Sequence, residues 1–600
     1  MPTEAKIIKQ EKDGKLVNKT FNKNKLASKD RAYKIKSWIS ALERDVLPNI
    51  DLPKRDFYVL FFSICDKGSR ALVFKGTGKT INEAWDNGAN NLKAYLSENS
   101  EYDLVWIKVD VVDKINKIEL TDLNKRIVEG YFSFFYRKGL AFDENFDTAF
   151  LEGEINGNKM LTYYTEKEMA ARKVDHSSNR LNLENINNYL TKYYAKAPIR
   201  NIPTQIFEFN TQAFFSDGKD NVYPLYNVGH DTGRRLVAET TGDIIKEVIT
   251  KASTFLNNEI MDDGKFNYGY FPVFGNKMKN YNILRHTSSL WSLINLYRMT
   301  KDETVLSNLD LAIKYMIDGY IEYRDKDTAF LVEHEANEIK LGGNGVACIM
   351  LTEYMDILDN DKHMGLVRAL ANGIITMQNP NGAFVHILDY PSFKLKEEYR
   401  TVYYDGEAVF GLTRAYSLTK DEKYLEAAKR GIDNLIDKNY VTYRDHWVAY
   451  AFNEITKYIP DPRYFEFAMR NVKENLKGIY KRETSFHTYL ELLVISWQTY
   501  ERWLASGVDV DYMNEFNVEH FAQTIYRRAR HMLNGFFYPE LAMYMKYPEQ
   551  IVDGFMVRHH SFRTRIDDIQ HFIGGYYYYT VYYDKIRAYL SEDFLSRIDS

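Results

Sequence analysis

The sequence predicts a multidomain chain, with a small N-terminal α+β domain followed by an all-α (α/α)6 toroid. Three observations lead there. Short β-branched and aromatic runs bounded by Gly, Lys and Asp cluster between Asp56 and Val112. From about residue 236 almost to the end, apolar residues recur at three- to four-residue spacing, the period of a helix with one buried face. Within that second part, charged amphipathic helices alternate with helices rich in small and apolar residues, six of each. A hairpin of one outer and one inner helix leaves an apolar face wet until a neighbour covers it, and six hairpins stacked side by side close into a ring.

Residues 1–49 read as a mobile basic tail and a lead-in helix. Lys stands at 6, 9, 12, 15, 19, 23, 25 and 29 among few apolar residues, too few to offset the entropy of ordering. The domain expected over 50–160 has strands at Phe57–Ile64, Arg70–Thr80 and Tyr102–Val112, with a helix at Ile81–Leu96 between the second and third. Gly76-Thr77-Gly78-Lys79-Thr80 lacks the spacing of a phosphate-binding loop and reads as a strand-to-helix turn. A linking region over 161–235 carries a polar helix at Leu181–Tyr193 and a Pro-bearing, strand-like run at Ile202–Phe215. It loosens at Ser216–Asn221 and Asn227–Arg235.

The toroid is expected over 236–600. Its inner helices begin near Arg285, Gly342, Tyr404, Asp445, Ser485 and Asp567, and its outer helices run near 241–258, 303–319, 362–377, 421–437, 462–476 and 516–533. The intervals are unequal, so the repeat is structural and not a strict sequence period. Loops echo one another: Asn379–Pro391 resembles Asp262–Pro272. The Tyr-rich stretch after His571 reads as an aromatic core helix.

Composition narrows the function. A net charge of -4 gives no reason to expect nucleic acid. Cys65 and Cys348 are too few for a disulfide framework or a thiolate metal site. No apolar run approaches the roughly 20 residues of a membrane helix, and the start M-P-T-E-A-K-I-I-K-Q lacks the apolar core of a signal peptide. A cytoplasmic protein is expected, with no membrane partner and an open oligomeric state. Aromatic residues make up 15% of the chain, with 47 Tyr and 7 Trp, which suits a cleft that stacks on sugars as well as ordinary core packing.

The twelve-helix alternation, together with Y-N-I-L-R-H, Y-D-G-E-A, D-H-W and R-I-D-D-I-Q-H, resembles the six-hairpin toroid superfamily over about 236–600. That group includes glycoside hydrolases, polysaccharide lyases, N-acylglucosamine 2-epimerases and the C-terminal part of glucuronyl C5-epimerases. The resemblance implies an active cleft where the inner helices start and an oligo- or polysaccharide as substrate. The N-terminal region matches no family. The chain departs from the lanthionine-cyclase branch because Cys348 has no Cys neighbour, and from terpene cyclases because it has no D-x-D-D-type motif. No H-E-x-x-H occurs, so no metal site is assigned and no cofactor is expected, while carboxylates and histidines leave metal use open.

If the ring closes, helix-entry residues far apart in sequence converge at one end, where helix N-termini favour carboxylates and offer N-H donors. Glu407, Asp445, Asp567 and His286 are the expected catalytic groups. Arg285, Asn344, Tyr404, Asp405, Arg444, His446, Trp447, His487, Asp568 and His571 are the expected substrate-binding groups. Each has a plainer reading. Asp405 and Asp445 sit where helix caps belong, Arg285 with His286 forms a plausible core pair, and Arg565, Asp567, Asp568 and His571 suit a salt-bridge knot closing the ring. Hydrolysis of a glycosidic bond needs an acid and a base, which Glu407 with Asp445 or Asp567 supplies, and separate inner helices favour an inverting spacing. A sugar epimerase or polysaccharide lyase needs a base, an opposing acid and a cation, which His286, Tyr404 and Arg285 or Arg444 supply. A non-catalytic glycan- or protein-binding scaffold is the third reading.

Overall fold

A computed structural model describes residues 28–129, 136–162, 164, 169–171, 173, 180–218 and 220–599. The basic tail expected at the N-terminus lies largely outside the described residues. The lead-in helix is α1 (Ser28–Val46).

The N-terminal unit is an antiparallel sheet carrying helices. Its strands are β1 (Tyr58–Cys65), β2 (Leu72–Gly78), β3 (Trp106–Glu119), β4 (Gly139–Ala141) and β5 (Ala149–Phe150). A small separate pair is formed by β6 (Leu161–Thr162) and β7 (Arg180–Leu181), followed by β8 (Gln205–Ser216) and β9 (Val222–Pro224). The order in the main sheet is β2-β1-β3-β8-β4-β5, with β9 also on β8. Thus β8, from the stretch read as a link, is a central strand running against both β3 and β4. On one face α2 (Ile81–Glu98) buries Trp85, Leu92 and Leu96 against Leu60, Phe62 and Ile107. The Thr80 hydroxyl caps α2 by accepting from the Glu83 amide, so the Gly-Thr-Gly-Lys-Thr segment is a strand end and a helix cap. Three further helices complete the unit: α3 (Leu120–Val128), α4 (Glu152–Gly157) and α5 (Leu183–Tyr193).

Twelve long helices follow in outer-inner order, but the region is not all-α as expected: among the described residues its connections and C-terminal end hold three shorter helices and two small antiparallel sheets, which pair backbone groups that the loops would otherwise leave open. The outer ones are α6 (Gly242–Asn258), α8 (Glu303–Tyr320), α10 (Met364–Thr376), α12 (Glu422–Asp437), α14 (Pro462–Lys473) and α16 (Val518–Met532). The inner ones are α7 (Ile283–Thr300), α9 (Leu341–Leu358), α11 (Tyr403–Thr419), α13 (His446–Ile455), α15 (Thr488–Ser506) and α17 (Ile566–Arg587). The inner helices touch in the closed cycle α7-α9-α11-α13-α15-α17-α7, and each outer helix packs on at least one inner helix. Composition sets the layer. In α9 the run from Leu341 to Thr352 is buried all round, whereas α12 buries one stripe, Tyr424, Ala427, Ala428, Ile432 and Leu435. The two echoed loops each close with the same bridge, Ile260 to Phe266 and Gln378 to Phe384.

The ring has no open bore. Trp291 stacks on Trp447 with ring centres 5.8 Å apart, and Phe410 on Tyr450 at 5.5 Å, so residues of α7, α11 and α13 fill the axis. Towards the C-terminal ends of the inner helices, Arg298 and Arg414 are tied to Glu353, and Arg414 also to Glu454. The sheet unit is fastened to the ring by buried Arg70, which donates to the carbonyls of Gly157, Tyr544 and Val273 at 2.6–2.9 Å. No helix among the described residues is long and apolar enough to cross a membrane.

Candidate active site

The N-terminal ends of the inner helices meet above this aromatic plug, and ionisable side chains from five of them contact one another there. At the start of α17, Asp567 accepts from Arg285 of α7 at 3.1 Å and from Arg565 at 2.7 Å. One turn on, His571 points its Nδ1 at Glu491 of α15, 2.6 Å away, and its Nε2 towards Asp567 at 3.7 Å. Glu491 also accepts from the Tyr450 hydroxyl of α13 at 3.2 Å. The edge of the His446 ring meets His571 with ring centres 4.9 Å apart. Neither nitrogen of His446 has a hydrogen-bond partner among the described residues, and its Nε2 stands 3.8 Å from Glu491.

Two glycines make these placements possible. A Cβ on Gly342 of α9 would lie 1.7 Å from Glu407 Oε2, and one on Gly574 of α17 would lie 2.5 Å from Glu491 Oε1. Each carboxyl is seated on a bare Cα of the neighbouring helix.

The environments push like groups apart. Burial raises the Glu407 carboxyl well above the carboxylate range, the charges of Asp445 and Asp567 add to this, and its Oε2 has no partner. Asp567 is partly buried, which alone would raise it, but Arg565 and Arg285 outweigh burial and hold it below the usual range. Burial pulls His446 well below an ordinary histidine, and His571 and His487 add to that, so it is neutral. Burial also acts against charge on His571, yet Glu491, Asp567 and Asp568 overcome it and raise its pKa. Burial raises Glu491 as well. With a second carboxylate beyond its other nitrogen, His571 keeps the proton shared across the 2.6 Å contact, and we treat the two as an ion pair.

The other candidates divide. Asp445 caps α13 by accepting from the Trp447 amide at 2.8 Å, and its second oxygen is unpartnered. Burial, then neighbouring Asp405, raises its pKa well above normal. Asp405 accepts from His386 Nε2 at 2.9 Å and from Tyr440, and His386 Nδ1 in turn accepts from the Arg400 amide, which fixes the tautomer. Tyr404 is buried with its ring against His386, beside Glu407. Asp568 is gripped by Arg563, Arg565 and His487, a buried knot between the last two inner helices. His487 stacks on His571 at 5.0 Å. Trp447 forms the floor.

Three expected residues are not brought in. His286 is turned away from the basin. Its Nδ1 meets the Tyr281 hydroxyl at 2.8 Å, its Nε2 donates to the Ala312 carbonyl of α8 at 3.0 Å, and burial lowers its pKa to about 4. Asn344 staples backbone, accepting from Leu331 and donating to Lys340. Arg444 is exposed on the loop before α13 in a left-handed conformation. Sequence reasoning missed Glu491, Tyr450, Arg563 and His386. An acid four residues after His487, inside the apolar run that opens this inner helix, was the available signal for Glu491.

His446, Glu491 and His571 are the group of potential metal ligands that the described residues bring together, with one donor atom from each lying within 4.8 Å of the others. A cation there would have to displace the proton shared by His571 and Glu491.

Fold and site define a ring of six helical hairpins with an acid-imidazole basin at one end. No family model and no curated relative matches the sequence. Among solved structures, a sugar epimerase from a ruminal bacterium is similar at 14% identity and a TM-score of 0.40, over 49% of this chain and 88% of its own. A D-mannose isomerase is similar at 11% identity and 0.45, over 56% and 97%. The GH76A alpha-1,6-mannanase from Salegentibacter sp. HEL1_6 is similar at 12% and 0.40, over 56% and 99%. The ring closure described above rests on this chain's own contacts.

Proposed function

We propose that the basin is a general acid-base site that moves a proton on and off the carbon beside a sugar carbonyl, making the protein a sugar isomerase or epimerase. The observation that carries the reading is an imidazole without a hydrogen-bond partner among the described residues, His446, packed against a second one, His571, whose Nδ1 lies 2.6 Å from Glu491; burial favours the neutral form of the first, and Glu491 with Asp567 favours the charged form of the second. Groups of one chemical type held in opposite protonation states are what a base and an acid require. His446 takes the proton from carbon. His571, its Nδ1 proton held by Glu491, supplies a proton from Nε2 to the carbonyl oxygen. Arg285, half-exposed and anchored by Asp567 and Tyr268, faces the oxyanion that develops. The two imidazoles are neighbours, so they work on one face of the ligand, which favours transfer between adjacent carbons.

Hydrolysis of a glycosidic bond in an oligo- or polysaccharide is the second reading, favoured by the protonated Glu407 beside the ionised Asp567. It is weaker on two counts. The free oxygen of Glu407 is seated against Gly342, and a carboxylate clamped by two arginines is a poor base.

Incubation with aldoses and ketoses in deuterated water separates the readings. Proton transfer at carbon puts deuterium next to the carbonyl and yields an isomer, and His446→Gln abolishes both. New reducing ends from oligosaccharides without deuterium at carbon would replace the first reading with the second.

A further inference from the structure

A polar cavity of about 290 Å³ is lined by His230, Tyr480, Lys481, Arg482, Glu483, Arg527 and Arg528 among others. Three features set it apart from an ordinary charged surface. First, none of its four cationic side chains pairs with a carboxylate among the described residues. The one acid, Glu483, is 72% exposed, and its contact with His230 is 3.8 Å long. Four cations against one carboxylate leave an excess of three positive charges.

Second, one of these cations is buried. Arg528 is 2% exposed. It donates to the carbonyls of Arg482, Thr484 and Phe486 at 2.7–3.3 Å, while its Nε has no partner among the described residues. Carbonyls orient a guanidinium without neutralising it, so its charge stays uncompensated in a site where compensation is worth most. Burial lowers its pKa to about 9, which still leaves it charged at neutral pH.

Third, the flanking donors are fixed. Arg527 donates from Nε to the Tyr480 carbonyl at 2.9 Å and lies over the Tyr480 ring at 4.7 Å, while Arg482 is tied to the Thr484 hydroxyl at 2.7 Å. In both, the remaining guanidinium N-H groups are left for a ligand.

We infer that this cavity is a binding site for a phosphoryl group. A carboxylate would neutralise one of the three excess charges, whereas a phosphate near neutral pH carries close to two and presents several acceptor oxygens to forked guanidinium donors. The segment that supplies the Thr484 and Phe486 carbonyls continues into His487, which reaches Asp568 at 3.2 Å. A phosphate carried on a saccharide and free phosphate offer the same chemistry to this cavity.

The test is calorimetric titration of the full chain with inorganic phosphate, with a hexose 6-phosphate, with the parent hexose and with acetate. Saturable phosphate binding at least tenfold tighter than acetate is expected. The exposed pair Arg482→Gln and Arg527→Gln, made together, should weaken phosphate at least tenfold and leave the melting midpoint in place. A hexose phosphate that binds tenfold better than phosphate assigns the group to a saccharide, and equal constants assign it to the free ion. The inference is overturned if phosphate does not saturate, if acetate binds as tightly, or if the double variant binds phosphate like the parent. None of these readouts depends on turnover, so the outcome is independent of the reaction proposed for the basin.

Discussion

Replacing Gly574 with alanine tests the basin at its most specific contact. By helix propensity alone the change should stabilise α17 by about 1 kcal/mol, since glycine in a helix interior is that much worse than alanine. The structure predicts otherwise. The new Cβ would stand 2.5 Å from Glu491 Oε1, about 1 Å inside an ordinary contact distance of roughly 3.5 Å. The obstruction is the tip of a flexible side chain, so the steric cost is small and the carboxyl moves aside. Oε1 then leaves the Tyr450 hydroxyl, and the swing carries Oε2 away from His571, whose 2.6 Å contact is buried and charge-assisted, a class worth about 1.5–3 kcal/mol. The net expectation is a loss of up to about 2 kcal/mol in place of a gain. Catalysis should suffer more, because a misplacement of about 1 Å in a supporting group can cost about 100-fold in rate. The pH profile adds an independent sign. His571 is held above an ordinary histidine chiefly by Glu491, acting against burial, and it must be protonated to act. Its contribution to stability is therefore complete below the unfolded pKa and is lost as pH rises through the folded one. Weakening Glu491 lowers that upper limit, so the alkaline limb of kcat/KM should move to lower pH. Melting curves and a pH-rate series on parent and variant measure both effects. A G574A protein with a raised melting midpoint and an unmoved alkaline limb would refute the His571-Glu491 pair as an acid.

Three further outcomes are expected. His446→Gln should lower kcat by about 100- to 10,000-fold, the usual worth of a positioned acid or base. Its melting midpoint should hold, because the amide puts two polar atoms where two buried nitrogens already lack partners, and loss of stability in step with activity would instead mark a structural residue. Asp568→Asn should destabilise by about 3–5 kcal/mol, since it leaves Arg563 and Arg565 facing a neutral group, and chemical denaturation reads this directly. In the sheet unit, buried Glu154 accepts from Tyr189, Tyr194 and the Leu151 amide, and burial raises its pKa to about 7. A carboxyl raised in the folded state favours folding at low pH and is penalised progressively from about pH 4.5 to 7, by roughly 3 kcal/mol in all. Glu154→Gln should remove that share, so the melting midpoints at pH 5 and pH 8 draw together, and an unchanged gap would show that Glu154 ionises normally.

The ring was legible in the sequence because its helices differ in kind. An inner helix such as Gly342-Gly343-Asn344-Gly345-Val346-Ala347 has almost no polar face to give water, while α12 has one apolar stripe, and that contrast survives without any tertiary information. The sheet was less legible. The strand β8 pairs with β3 across about a hundred residues, and its run, entered by a proline and followed by glycine-rich turns, carries no local mark of being central. The basin sits between these cases. Asp567, His571, Glu407, Asp445 and His446 could be placed because they open inner helices, and closure of the ring brings those ends together. Direction could not be placed. Arg285 and His286 are adjacent on α7, yet a rotation of roughly 100° per residue sends the first to Asp567 and the second to the Ala312 carbonyl on the outer layer. The same rotation explains Glu491. It lies a full turn beyond His487, too far along α15 to count as a helix entrance, but on the same face, and that face looks at His571. Proximity to a helix start therefore selects the end of the ring, and the helical phase selects the partner. The next candidates to test are inner-helix polar residues one turn below the entrance, in phase with an entrance histidine or acid.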